Sequence, residues 1–261
     1  MYFLYKEHQI HFTDDGQGDA LVFLHGLGGN ARNWTYQRQY FFSRRRMICL
    51  DLPGHGKSEG KSIGFSEFVD VVIALIDHLG IDKVAICGLS KGARAGLGVA
   101  ARAKDRVSGL IVVNTCLYLS PSDQAARTML YDELLLGPAG VQSWARQLLA
   151  QMAIAEGTTI YHGFLRSLDS LDRPYIRTLF QQIQDYDQRS EVATITSPTL
   201  LIHGAKDQIV PSYCHGELQQ LIPHALHQVF EQCGHLPYLE APERFNEAVD
   251  SFLRDQASPA T

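Results

Sequence analysis

What this sequence lacks narrows it first. No apolar run in the 261-residue chain approaches the roughly 20 residues that span a bilayer. The start, Met1-Tyr2-Phe3-Leu4-Tyr5-Lys6-Glu7-His8, is too short and too polar to read as a secretory leader. A basic excess is missing as well: 23 Lys and Arg stand against 28 Asp and Glu, for a net charge of −5 with histidine neutral. Arg44-Arg45-Arg46 then reads as a solvated cluster ahead of a strand, and nothing in the balance points to nucleic acid or a membrane surface. The cysteines, Cys49, Cys87, Cys116, Cys214 and Cys233, are odd in number and show no CxxC spacing. That argues against a disulfide framework and a zinc ribbon. Histidines and carboxylates are scattered without metal-ligand spacing. Repeats and low-complexity tracts are absent. Together these features predict a cytoplasmic, reduced protein that uses no metal or other cofactor, and they leave monomer against homodimer open.

What is present alternates. Tyr2 to Thr13 alternates apolar and polar residues and runs into the turn Gly16-Gln17-Gly18-Asp19, a strand or hairpin. Ala20-Leu21-Val22-Phe23-Leu24, Met47-Ile48-Cys49-Leu50, Val84-Ala85-Ile86-Cys87, Gly109 to Asn114 and Thr199 to His203 are short, mostly apolar runs. Such runs are strands buried on both faces of a parallel sheet. A further strand is expected over residues 227–231. Between them lie helical patterns. Phe68, Val72, Leu75, Ile76 and Leu79 recur at helical spacing, with Ser66 as the expected cap and Gly80 as the stop. Pro242 opens a C-terminal helix to Leu253, and Ser258-Pro259-Ala260-Thr261 reads as a frayed tail.

Strands alternating with helices predict an α/β fold with a mostly parallel, doubly wound sheet. One region breaks the rhythm. From Leu117 to Ile195 there are only helical segments: one opening at Ser120-Pro121, one from Trp144 to Ala155 after Gly137-Pro138, and one from Pro174 to Gln184. The expected organisation is a core of residues 1–116 and 196–261 with a helical cap, 117–195, inserted after the sixth strand. Such a cap would lie over the carboxyl edge of the sheet, where ligands bind.

The chemistry concentrates at Gly88-Leu89-Ser90-Lys91-Gly92, a G-x-S-x-G elbow that ends a strand and begins an Ala/Gly-rich helix. A serine on so sharp a turn is held in a strained backbone, and its close neighbours have no room for side chains. The following helix points its first amides at any oxyanion formed there. A nucleophilic serine needs a base and a residue to orient that base. Asp207 follows the strand ending at His203, and His235 follows the last expected strand, giving the chain order Ser, Asp, His. Cys214 and Cys233 lie near these two residues but in no elbow, and read as structural. So does His203.

Four blocks resemble the α/β-hydrolase superfamily over nearly the whole chain: His25-Gly26-Leu27-Gly28-Gly29, Asp51-Leu52-Pro53-Gly54-His55-Gly56-Lys57-Ser58, Gly88 to Gly92, and the Asp207 and Gly234-His235 segments. The resemblance implies Ser90 as nucleophile, His235 as general base and Asp207 as its orienting acid. It also implies the Leu27 and Lys91 backbone amides as oxyanion hole. His25 and the Asp51–Ser58 block match positions that shape the surrounding turns.

The pattern looks most like oxoadipate enol-lactonases and carboxylic-ester hydrolases. Arg94, four residues after the serine, resembles the menaquinone-pathway lyase. Meta-cleavage-product hydrolases and acyl-carrier-protein methyl esterases are similar as well. The implied function is cleavage of a small ester, thioester or (enol-)lactone through an acyl-enzyme. A lyase or C–C hydrolase on the same triad, or a non-catalytic ligand-binding protein, is the alternative.

Lys91 departs from the usual neutral residue after the nucleophile. An ammonium in the pocket, with Arg94, would favour a carboxylate-bearing substrate. Otherwise it pairs with a cap carboxylate such as Asp123 or Asp185, or snorkels to water. Further residues read as able to contact substrate are His25, Trp144 and Tyr238.

Overall fold

The two faces of the strands build two layers of core. The computed structural model describes residues 1–168 and 171–257, so the expected frayed tail, Ser258 to Thr261, lies outside the described residues. Eight strands form one sheet: β1 (Tyr2–Tyr5), β2 (His8–Asp15), β3 (Ala20–Leu24), β4 (Arg46–Leu50), β5 (Val84–Leu89), β6 (Val107–Val113), β7 (Thr199–Gly204) and β8 (Leu226–Phe230). Their spatial order is β1-β2-β4-β3-β5-β6-β7-β8. The β1–β2 and β2–β4 pairs are antiparallel, and the rest of the sheet is parallel.

The helices among the described residues are α1 (Thr35–Phe41), α2 (Phe68–His78), α3 (Lys91–Arg102), α4 (Pro121–Asp132), α5 (Gly137–Gln151), α6 (Thr159–Ser167), α7 (Arg173–Asp185), α8 (Arg189–Val192), α9 (Ser212–Leu221), α10 (Pro237–Glu240) and α11 (Pro242–Ala257). Val22, Leu24, Ile86 and Leu110 pack against Val69, Val72 and Leu97 from α2 and α3. Their neighbours Leu21, Phe23, Cys87 and Ile111 point the other way, onto Phe41 of α1 and Phe245 and Val249 of α11. Period-two alternation with apolar residues on both faces makes the sheet doubly wound. Each such side chain contributes roughly 1.5–3 kcal/mol on burial.

The chain order reverses on either side of β3: β4 lies on one flank and β5 on the other. In open α/β sheets the crevice beyond the carboxyl ends at such a reversal is where ligands bind. The loop after β3 and the serine after β5 both lie there. Helices α4 to α8 all fall between β6 and β7, with no strand among the described residues of that stretch.

Three local expectations are corrected. Ser66 does not cap α2; it sits inside a 3-10 turn, Phe65–Glu67, and α2 has Glu67 at its N-cap with no side-chain bond. Gly137-Pro138 punctuates the stretch as expected, but α5 opens there and not at Trp144, since a proline in the first turn has no N–H to leave unbonded. That helix ends at Gln151, and Ala153 adopts a φ of +59° that no α-helix allows. Ser120 does cap α4, its side chain accepting from the Asp123 amide, with Pro121 in the first turn.

Candidate active site

The elbow is built by close approach. Ser90 has φ 52° and ψ −114°, outside the ordinary regions for an L-residue. It is held there by a bond from its amide to Val113 O at 2.9 Å, and its own carbonyl accepts from Thr115 Oγ1 at 2.9 Å. Gly88 and Gly92 are needed for space. A Cβ on Gly88 would stand 2.5 Å from Gly92 O, and one on Gly92 would stand 2.3 Å from Leu24 O. The Ser90 hydroxyl makes no capping bond and is free of hydrogen-bond partners among the described residues.

Asp207 and His235 meet across the loops after β7 and β8. His235 Nδ1 lies 2.8 Å from Asp207 Oδ2, with the carboxylate wholly buried. Asp207 Oδ1 accepts from the amides of Ile209 at 2.7 Å and Val210 at 3.3 Å. An ionised carboxylate only accepts, so Nδ1 of His235 carries the hydrogen and Nε2 of the neutral ring keeps its lone pair. No hydrogen bond joins Nε2 to Ser90, and neither His235 nor Asp207 lines the cavity in front of Ser90. Such contacts commonly tighten only with substrate bound.

Residues to which the sequence reading gave no part hold these loops. Asn114, at the end of β6 with φ +40°, donates from Nδ2 to Gly234 O at 3.0 Å and His235 O at 2.9 Å. Its Oδ1 accepts from the Gly204 amide at 3.0 Å. Glu240 accepts from the amides on either side of His235, Gly234 at 2.8 Å and Leu236 at 2.9 Å, and burial pushes its carboxyl above the usual range. Helix α5 reaches in from the other side: Met152 O accepts from the His235 amide at 3.0 Å, and Gln151 O from the Gln208 amide at 2.8 Å. An Asn with positive φ at a strand end is a faint sequence signal for Asn114. Nothing local marks Glu240.

A cavity of about 90 Å³ opens in front of Ser90. Leu27, Lys91 and Thr115 line it from the sheet side, and Arg127, Tyr131 and Phe180 from α4 and α7. The Leu27 and Lys91 amides have no acceptor among the described residues. They are therefore free to donate to an oxyanion.

The other candidate contacts go elsewhere. Lys91 borders the cavity, yet its Nζ is drawn back to His55 Nε2 at 2.9 Å and lies 5.2 Å from the centre of the Phe68 ring. His55 Nδ1 donates to Pro53 O at 2.9 Å, which leaves Nε2 to accept from the lysine. Burial holds the Lys91 ammonium well below its ordinary pKa. It pairs with neither Asp123 nor Asp185. Arg94 lines the cavity but spends its N–H groups on Gln188, Ile183 and Tyr186. His25 donates from Nδ1 to Gly26 O at 2.7 Å and accepts at Nε2 from the Leu52 amide at 3.0 Å. Burial, with Lys91 beside it, lowers its pKa to about 3. His25, Trp144 and Tyr238 are buried and do not line this cavity, so the expected substrate contacts are not formed there. Trp144 packs on Tyr131 and Phe164, and Tyr238 on Trp34 and Phe245.

Asp51 holds its own block together, accepting from the Ala31 and Lys57 amides and facing His11 Nδ1 at 2.8 Å. His203 stacks between His215 and His227. Among the described residues no group of three or more His, Cys, Asp or Glu is placed to hold a metal ion, and no helix is long and apolar enough to cross a membrane. All five cysteines are free.

A serine strained between a central parallel strand and its helix, on a sheet of this order, places the fold in the α/β-hydrolase class. Residues 21–248 match the model of the alpha/beta hydrolase family, and the chain belongs to that family. It is 32% identical over 251 residues to the dihydrolipoyllysine-residue acetyltransferase component of an acetoin cleaving system of Pseudomonas putida. That match covers 91% of this chain but spans only 64% of the relative. It is 28% identical over 253 residues to 3-oxoadipate enol-lactonase 2 of Acinetobacter baylyi, covering 94% of this chain and 93% of that one. The enol-lactonase of Burkholderia xenovorans LB400 superposes with a TM-score of 0.85 at 24% identity, over 97% of this chain and 100% of that one. At that identity the superposition speaks for the fold alone. The likeness to enol-lactonases expected from the motifs is thus found among the relatives.

Proposed function

We propose that the protein cleaves a small carboxylic ester, thioester or lactone through an acyl-enzyme on Ser90. Ser90 Oγ attacks the carbonyl carbon, and its proton passes to His235 Nε2 as the ring closes on the serine in the substrate complex. Asp207 holds the ring in the tautomer that leaves Nε2 free and stabilises the imidazolium that forms. The Leu27 and Lys91 amides receive the oxyanion; one such donor typically stabilises the transition state by roughly 3–4 kcal/mol. The imidazolium returns the proton to the leaving oxygen or sulfur, and water, activated by the same ring, releases the acid. Residues 117–195 act as the cap that shapes the acyl site. The cycle as written needs no cofactor.

The observation that carries this reading is the state of Ser90. Its hydroxyl is unbonded, on a strained turn, at the rim of a cavity bordered by two unbonded amides. A fluorophosphonate probe tests it. Labelling that disappears in Ser90→Ala, together with loss of turnover on a panel of short esters and lactones, is the expected result. No labelling and no turnover across the panel overturns it in favour of a binding protein. Products of elimination or C–C cleavage would instead point to the lyase or C–C hydrolase chemistry.

A further inference from the structure

The charges facing the cavity are lopsided. Two guanidinium groups line it, Arg94 from α3 and Arg127 from α4, and no Asp or Glu does. Neither makes a direct ion pair; Asp187 and Glu191 act on Arg94, and Asp123 on Arg127, only at longer range. Arg94 donates from Nε to Gln188 Oε1 at 2.7 Å, from Nη1 to Ile183 O at 2.6 Å and from Nη2 to Tyr186 O. Arg127 donates from Nη2 to Gln208 O at 2.7 Å and Ile209 O at 2.9 Å, and from Nη1 to Gln151 Oε1. Every acceptor is neutral. Carbonyl dipoles satisfy N–H groups, yet they leave two unit charges facing a space walled largely by apolar side chains.

Other arginines of the chain do meet acids. Arg38, Arg46 and Arg177 each contact an aspartate, at 2.8 Å, 2.7 Å and 2.5 Å. Arg127 even has an acid four residues before it on α4, the spacing at which helical ion pairs form. That acid, Asp123, is turned away: its carboxylate accepts from Ser120 Oγ and Tyr213 Oη, each at 2.7 Å. Arg127 is half-buried and its Nε–H has no partner among the described residues. Lys91, the cation that the sequence singles out, is tied to His55 instead.

We infer that Arg127, with the Arg94 charge beyond it, reads a carboxylate on the substrate, so that the bond cleaved at Ser90 belongs to an ester or lactone carrying a free acid group. The inference rests on the hydrolase reading for the cleaved bond, but not for the anion site itself. Arg127 also grips the carbonyls of Gln208 and Ile209, and the Ile209 amide bonds Asp207 Oδ1. A bound carboxylate therefore docks on the side chain that braces the acid loop.

The test compares two aryl esters of equal length, one ending in a free carboxylate (a glutarate half-ester) and one in the neutral carboxamide. Rates are measured with the intact protein and with Arg127→Gln, Arg127→Lys and Lys91→Met. The acidic ester is expected to have the higher kcat/KM. Arg127→Gln is expected to lower the acid-over-neutral ratio about ten- to hundredfold, mainly through KM, which is the size of a charged hydrogen bond. Arg127→Lys is expected to restore part of that ratio. A neutral preference in the intact protein, or a ratio unmoved by Arg127→Gln, overturns the inference and leaves Arg127 as a brace only. If neither ester turns over and Ser90 takes no fluorophosphonate, the hydrolase reading has failed. Thermal stabilisation by glutarate, present in the intact protein and lost in Arg127→Gln, then still supports the anion site, and its absence overturns it.

Discussion

Lys91 Nζ stands 2.9 Å from His55 Nε2, deep behind the elbow, with no carboxylate in the contact. Burial keeps the amine well below its ordinary pKa, so the folded protein releases a proton that the unfolded chain keeps up to about pH 10.4. In that window the unfolded state binds more protons, and stability rises with pH. Relative to Lys91→Met, the intact protein is expected to gain stability, by up to about 1.4 kcal/mol per pH unit, as pH rises toward about 10.4. Urea unfolding of both proteins at pH 7, 8 and 9 reads the slope. A pH-independent difference would show the lysine charged in the fold.

Lys91→Met is also expected to lower kcat/KM for acidic and neutral esters by the same factor, because the Lys91 amine is turned back to His55 and carries no charge into the cavity. A selective loss on acidic esters would put the charge back in the pocket.

The Asp207 carboxylate accepts from His235 Nδ1 at 2.8 Å, and an amide in its place can present its NH₂ instead. Asp207→Asn is therefore expected to leave the fold intact and cut kcat about 10³–10⁴-fold by favouring the wrong ring tautomer. Steady-state kinetics beside circular dichroism checks both halves of that statement.

Asn114 reaches Gly204, Gly234 and His235 with one amide, joining the ends of β6 and β7 to the histidine loop. Removing it leaves three buried backbone groups without partners, each costing about 1–3 kcal/mol. Asn114→Ala should lower unfolding free energy by about 2–4 kcal/mol and reduce kcat, since His235 loses its backbone anchor. Asn114→Asp should be at least as damaging, because a carboxylate cannot donate to two carbonyls. A denaturation midpoint unchanged in Asn114→Ala would refute this.

Two glycines separate the reasons for glycine. Gly80 has φ +60° with open space around its Cβ position, so Gly80→Ala is expected to cost only about 1 kcal/mol. Gly88 has room for no atom there, with three backbone atoms of Gly92 and Ala93 within 2.6 Å. Gly88→Ala is expected to leave little soluble, folded protein. Comparable melting temperatures for the two variants would contradict the close approach.

His203, His215 and His227 are stacked in a row; burial lowers all three, and repulsion from neighbouring histidines adds to it at His203 and at His215, which falls to about 4. Asp207 and His235 are the other charged or titratable groups acting on His215. Its folded pKa is depressed, so its stabilisation is whole above about pH 6.5 and is lost as pH falls toward 4. His215→Phe, which keeps the stacking, is expected to flatten the loss of stability between pH 6.5 and 4 by about 2–3 kcal/mol. Equal slopes for the two proteins would remove His215 as a cause.

Ser90 was legible because the elbow is a local event: a strand residue, a sharp turn and a helix within nine positions, with glycines where backbone presses on backbone. Asp207, His235 and Leu27 were legible because each follows an apolar strand in a parallel sheet, and parallel strands end on one edge. Ser66 was misread because a serine before an apolar periodicity caps a helix only if its backbone stays extended, and here Phe65–Glu67 coils into a 3-10 turn. Asn114 also ends an apolar strand, but neither it nor Glu240 belongs to a motif that assigns it a partner. Their bonds serve backbone groups brought close by the stacking of β6, β7 and the last loops, at separations as large as 121 residues for Asn114 with His235.

By itself, then, the sequence determined the sheet, the helical insertion and the order of Ser90, Asp207 and His235. These depend on the periodicity of neighbouring residues and on turn chemistry within a few positions. Only the tertiary structure decided where the cations go. Lys91 and Arg127 are both basic residues at the cavity border, and nothing beside either tells which head group stays there. That choice is made by distant partners: His55 and the Phe68 ring draw the lysine inward, while Gln208, Ile209 and Gln151 hold the arginine at the cavity wall. A long side chain goes where its desolvation is best offset, and in a folded chain that is set by packing between segments far apart in sequence.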